Sequence, residues 1–118
     1  MRATGLWADY KDDIGYTRLA NELTTALADG SGVAVAHVEA QNSDGHWMPD
    51  ASDSQFAGKA IVDKTGGASG TSSHATSVGQ KFYGIASSMA PAVTAIDAYD
   101  ANDWMGLGFL GYGWLYGG

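Results

Sequence analysis

Val33-Ala34-Val35-Ala36-His37-Val38 is a short, β-branched run without formal charge, and Glu39 follows it as the first charged residue. Such a run is the pattern of a strand buried in a parallel sheet. Asp29-Gly30-Ser31-Gly32 precedes it as a glycine stop and a turn, and before that Tyr16, Leu19, Leu23 and Leu27 recur at helical spacing. Asp12 and Asp13 lie ahead of the first turn, where the helix dipole favours negative charge, so a helix is expected over about residues 16–28.

Downstream, residues 41–58 are polar and rich in Asp, Ser and Asn around Trp47-Met48-Pro49, which reads as a surface loop packed down by one aromatic residue. Residues 59–62 form a weak second strand. The glycine- and serine-rich stretch 65–73 then passes straight into a helical pattern in which Val78, Phe82 and Ile85 share a face. Ser72 or Ser73 supplies the N-cap, which sets His74 in the first turn of that helix. After Pro91, residues 92–99 read as another strand. Strand, helix and strand in alternation predict an α/β domain, a parallel sheet flanked by helices and joined by right-handed crossovers.

The composition narrows the function. The chain has 118 residues, 45% of them hydrophobic and 16% charged, as a single globular domain does. A net charge of −7 is the wrong sign for gripping phosphate backbones or anionic membrane surfaces, so no nucleic-acid and no membrane partner is expected. No apolar run approaches the roughly 20 residues of a membrane span, and residues 1–10 carry no signal-peptide pattern. The absence of cysteine removes disulfides, thiolate metal sites and a cysteine nucleophile.

Two residues are placed for chemistry. Glu39 ends the first strand and His74 opens the second helix, and in a parallel sheet the carboxyl ends of strands are where active-site groups gather. A carboxylate that accepts the imidazole Nδ1 proton fixes the tautomer and leaves Nε2 to take a proton from a nucleophile. The two groups are therefore expected within about 3 Å of one another, or somewhat more in an unbound site.

Three segments in order, residues 32–40, residues 74–79 (His74-Ala75-Thr76-Ser77-Val78-Gly79) and residues 84–91 (Gly84-Ile85-Ala86-Ser87-Ser88-Met89-Ala90-Pro91), resemble the subtilisin-like serine proteases. They are similar to that family's strand ending in the catalytic acid, its helix opening on the catalytic histidine and its turn into the next strand. The resemblance covers most of residues 12–100 and implies that residues 1–118 are the amino-terminal part of a subtilisin-like peptidase domain, incomplete at its C-terminus. It puts the general base on His74 and the orienting acid on Glu39, with Glu in place of the usual Asp and with Ala75 and Ser77 in place of Gly and a second His. The family's nucleophilic serine and oxyanion asparagine lie further along than Gly118, so the chain alone is expected to be inactive. The resemblance further implies a peptide or protein substrate for the complete enzyme and an exported or cell-envelope location. It requires no cofactor; calcium accompanies many family members, but no calcium ligand carries over.

Other readings start from neighbouring residues. Gly70-Thr71-Ser72 and Ser88-Met89-Ala90-Pro91 imitate a serine motif in letters only. If the segment between them is helical, at 1.5 Å per residue Ser88 lies roughly 20 Å from His74. His37 and Glu39 face the same side of a strand and, with His74 or His46, form the elements of a metal site and hence of a metal-dependent hydrolase. Asp44, Asp50, Asp53 and Asp63 follow no calcium-loop order and read as solvated loop charge. The glycine-spaced aromatics Trp104, Phe109, Tyr112, Trp114 and Tyr116 fit packing against a missing half of the domain, or the docking surface of a small non-enzymatic α/β binding module. A buried Glu39 separates the acid–base reading from that module.

Overall fold

The computed structural model describes residues 10–106. A three-stranded, wholly parallel sheet forms from β1 (Ala34–Glu39), β2 (Ala60–Asp63) and β3 (Ala95–Asp100), in the order β1-β3-β2. The fold is α/β, with helices flanking the sheet. α1 (Tyr10–Asp13) and α2 (Tyr16–Leu23) precede β1, α3 (Ser73–Tyr83) joins β2 to β3, and α4 (Ala101–Gly106) follows β3 directly. Among the described residues no helix is long and apolar enough to cross a membrane.

Pairing register decides what shares a face. Val35 lies beside Ile96, His37 beside Ala98 and Glu39 beside Asp100, and Ile61 completes the row on the other side of Ile96. Because side chains alternate along a strand, these residues stand on one face of the sheet. That face holds the core: Phe56, Tyr83, Val93 and Ile96 are buried together, with Val35, Ile61 and Ala90 packed against them. On the other face Ala34, Ala36, Val38, Ala60, Val62 and Ala95 are exposed, and Trp104 of α4 packs edge-on against Tyr99 with ring centroids 4.7 Å apart. β1 is thus an edge strand buried on one side, not the strand covered on both sides that its uniform composition predicts.

Helix α3 buries a different stripe from the expected one. Ala75, Gly79 and Tyr83 face inward, whereas Phe82 and Ile85 are exposed and Ile85 falls beyond the helix end. Small residues at 75 and 79 let the helix approach closely, and the Tyr83 ring, leaning back toward the N-terminus as long helical side chains do, fills the space. A Cβ on Gly79 would stand 2.7 Å from the Tyr83 hydroxyl and 3.0 Å from the Phe56 ring. Phe56, in a short 3₁₀ turn (Ser54–Phe56), is the second anchor of a loop for which Trp47 alone was expected.

The first helical segment is shorter than its apolar spacing predicts. Gly15, at φ 84°, separates α1 from α2, and after Leu23 the chain tightens into a 3₁₀ turn (Thr24–Ala26). Neither α1 nor α2 contains a buried residue. The start is tethered instead by hydrogen bonds, from the Tyr10 hydroxyl to the Ser87 carbonyl (2.6 Å) and from Lys11 Nζ to the Ala86 carbonyl (2.8 Å).

Candidate functional site

Two local devices bring the pair named from the sequence together. β1 carries Glu39 to its carboxyl end, on the covered face. Ser72, not Ser73, caps α3: its Oγ accepts from the Ala75 amide at 3.2 Å, and its own amide donates to the Met48 carbonyl at 2.8 Å, which fastens the helix start to the loop after β1. His74 is then the second residue of α3, and its Nε2 stands 3.3 Å from Glu39 Oε1.

The environments of the two partners differ sharply. Glu39 is buried, at 9% exposure, whereas the His74 side chain is 75% exposed. A carboxylate taken from water needs hydrogen bonds to remain charged. Its other oxygen, Oε2, accepts from His37 Nε2 at 2.8 Å, and His37 Nδ1 lies 2.8 Å from the Tyr83 hydroxyl. His37 and Tyr83 are themselves almost wholly buried, at 3% and 0% exposure. Burial, and secondly the charge of Glu39, push the Tyr83 phenol well above its ordinary value, so it keeps its proton. A chain of polar groups thus runs from Tyr83 in the core through His37 and Glu39 to His74 at the surface.

One detail corrects the expected geometry. The nitrogen of His74 that faces the carboxylate is Nε2, which leaves Nδ1, not Nε2, to exchange a proton with another group. The role is otherwise the same: a carboxylate beside one ring nitrogen orients the imidazole and leaves the other nitrogen available. Among the described residues no hydroxyl hydrogen-bonds to His74.

Asp100, which the sequence reading passed over, is Glu39's register neighbour and is also buried. Its two oxygens accept from Gln41 Nε2 at 2.6 Å and from the Asn102 amide at 3.0 Å, so the adjacent carboxylates do not share a partner. A position at the end of the central strand was the signal that could have marked it. Asn42, Asp50, Thr71, Ser73, Thr76 and Ser77, the last three on α3, line an open groove of about 460 Å³, whose walls offer hydroxyls, an amide and a carboxylate.

The remaining candidates have structural work. Ser88 is buried in its own turn, its hydroxyl donating to the Gly84 carbonyl at 2.7 Å and accepting from the Ala90 amide at 3.1 Å. Asp50, Asp53 and Asp63 are turn builders instead of free solvated charges: Asp50 accepts from the Ser52 amide, Asp53 from the Gln55 amide, and Asp63 from those of Thr65, Gly66 and Ala68. These oxygens do not form a calcium cage, and among the described residues no three His, Asp or Glu side chains converge so as to hold a metal ion. His37 has both ring nitrogens engaged, and His46 lies against Gly70. Of the aromatic C-terminal segment, Phe109, Tyr112, Trp114 and Tyr116 lie outside the described residues.

Comparison with protein families, with curated proteins and with solved structures finds no match for this chain.

Proposed function

We propose that the chain carries the acid–base half of a subtilisin-like serine endopeptidase site, with His74 as general base and Glu39 as the carboxylate that orients it. The observation that carries this reading is the 3.3 Å approach of an exposed imidazole to a buried carboxylate at the carboxyl end of a parallel strand. Burial of Glu39 with an exposed imidazole against it favours this reading over a docking module.

In this reading the attacking serine comes from outside residues 10–106 and approaches the free nitrogen of His74. The imidazole takes the hydroxyl proton as the oxygen attacks the peptide carbonyl, then returns it to the leaving amine. Glu39 stabilises the imidazolium formed in between. The groove along α3, lined by hydroxyls, the Asn42 amide and the Asp50 carboxylate, supplies partners for the backbone of a peptide substrate.

The test is hydrolysis of denatured casein by the full gene product and its His74→Ala and Glu39→Gln variants. The expected result is a fall in kcat of about 10⁶-fold for His74→Ala and about 10⁴-fold for Glu39→Gln, with the folded state retained. Casein hydrolysis that survives His74→Ala undiminished, or none in the unsubstituted gene product, would overturn the protease reading.

A further inference from the structure

We infer that His37 is a positioning residue for the Glu39–His74 pair and that Tyr83 stabilises the tautomer in which it works. The inference rests on the acid–base reading of that pair and adds two residues to it.

Glutamate has one more rotatable bond than aspartate, so a carboxylate used to orient an exposed imidazole must be fixed by something else. Glu39 has its Oε2 held by His37 Nε2 at 2.8 Å, which leaves Oε1 to face His74 at 3.3 Å. The bond to Oε2 requires a proton on Nε2, because a bare lone pair there would face the carboxylate. Tyr83 complements that state: with the neutral ring's proton on Nε2, the bare Nδ1 accepts from the Tyr83 hydroxyl 2.8 Å away. In the imidazolium both nitrogens donate, and the Tyr83 oxygen accepts. Nε2 therefore donates to Glu39 in either charge state of His37.

The surroundings keep this arrangement private. The rings of Phe82 and Tyr83 stand edge-on to His37, at centroid distances of 6.1 and 5.6 Å. Of the acidic groups that the other two strands place on this face, Asp100 is held by Gln41 and Asn102, and Asp63 by the backbone amides that follow it. Neither competes for the imidazole. The helix cooperates as well, since only a residue without a Cβ at 79 lets the Tyr83 hydroxyl pass toward His37.

The experiment measures carbethoxylation of His74 by diethyl pyrocarbonate, residue by residue, on the whole chain at pH 8. A carboxylate-oriented imidazole is the better nucleophile, so Glu39→Gln sets the rate of an unassisted His74. His37→Leu and Tyr83→Phe are expected to slow His74 by about threefold or more, toward that rate, while His37→Gln, which can still donate to Glu39, stays within about twofold of the unsubstituted chain. A merely structural role for His37 would change stability and leave the His74 rate where it was. If Glu39→Gln slows His74 but Tyr83→Phe and His37→Leu do not, the positioning role is wrong and the pair stands; if Glu39→Gln itself has no effect, the pair is wrong and this inference goes with it. Tyr83→Phe removes one oxygen from a ring that stays in place, and it decides the matter should His37→Leu fail to fold.

Discussion

The two faces of the sheet use the same three strands for opposite ends. On the covered face, Val35, His37 and Glu39 alternate with residues that see solvent, and α3 and Phe56 close over them. On the open face, Ala34, Ala36 and Val38 of the same strand remain exposed, as do Ala60 and Val62 of β2. Burial on one side gives a carboxylate a reason to be hydrogen-bonded, and hydrogen bonding gives it a fixed direction; neither pressure exists on the open face. Chemistry is possible at Glu39 because the packing that desolvates it also supplies its partners.

This contrast is broken most directly at Gly79. A methyl group there meets the Tyr83 hydroxyl and the Phe56 ring, so Gly79→Ala is expected to lower stability by about 1–3 kcal/mol in urea unfolding. A loss below about 0.5 kcal/mol would mean that the close approach of α3 is not needed.

Alkaline pH probes the same face. Because burial, then the Glu39 charge, hold the Tyr83 phenol above its ordinary value of about 10, the unfolded chain ionises first. The stability this group contributes is whole below pH 10 and is lost above it, by up to about 1.4 kcal/mol per pH unit, until the native phenol ionises as well. Tyr83→Phe should make the alkaline fall in urea midpoint shallower; an unchanged slope would contradict the buried, protonated phenol.

A smaller effect separates two adjacent serines. Ser72→Ala removes the cap of α3 and should cost about 1 kcal/mol, whereas Ser73→Ala should cost next to nothing. Equal losses would place the helix start elsewhere. The least effect belongs to the open face, where Val38→Thr and Val62→Thr are each expected within about 0.5 kcal/mol of the parent. A larger loss would show that this face is covered in solution.

How far the sequence could be read follows from what periodicity carries. The order of strand, helix and strand was legible because β-branched runs and a serine before a 3.6-residue pattern are local signals. The inward stripe of α3 was not: spacing selects the most hydrophobic face, Val78, Phe82 and Ile85, whereas close packing selects the smallest, Ala75 and Gly79, with Tyr83 filling the gap. Phe56 escaped because a single aromatic in a polar loop has no period. Leu19 and Leu23 share the helical spacing that marked this segment, yet both are exposed, since α2 buries none of its residues.

The site divides in the same way. Glu39 and His74 were recognisable because each ends or begins an element, and topology alone brings such ends together. The shared face of His37 and Glu39 was also legible, but as a metal pair; His37 hydrogen-bonds Glu39 instead, and its other nitrogen meets Tyr83, 46 residues away, a contact that no local spacing encodes. Which nitrogen of His74 meets the carboxylate is a matter of rotamer, and no spacing encodes it.

The central claim is that Glu39 and His74 meet, and nuclear Overhauser spectra of the whole chain at pH 7 test it most directly. The arrangement described above predicts cross-peaks from the His74 ring protons to the Glu39 γ-methylene, lost on Glu39→Ala. Cross-peaks from the His74 ring to α3 and its flanking loop alone, with none to β1, would contradict it.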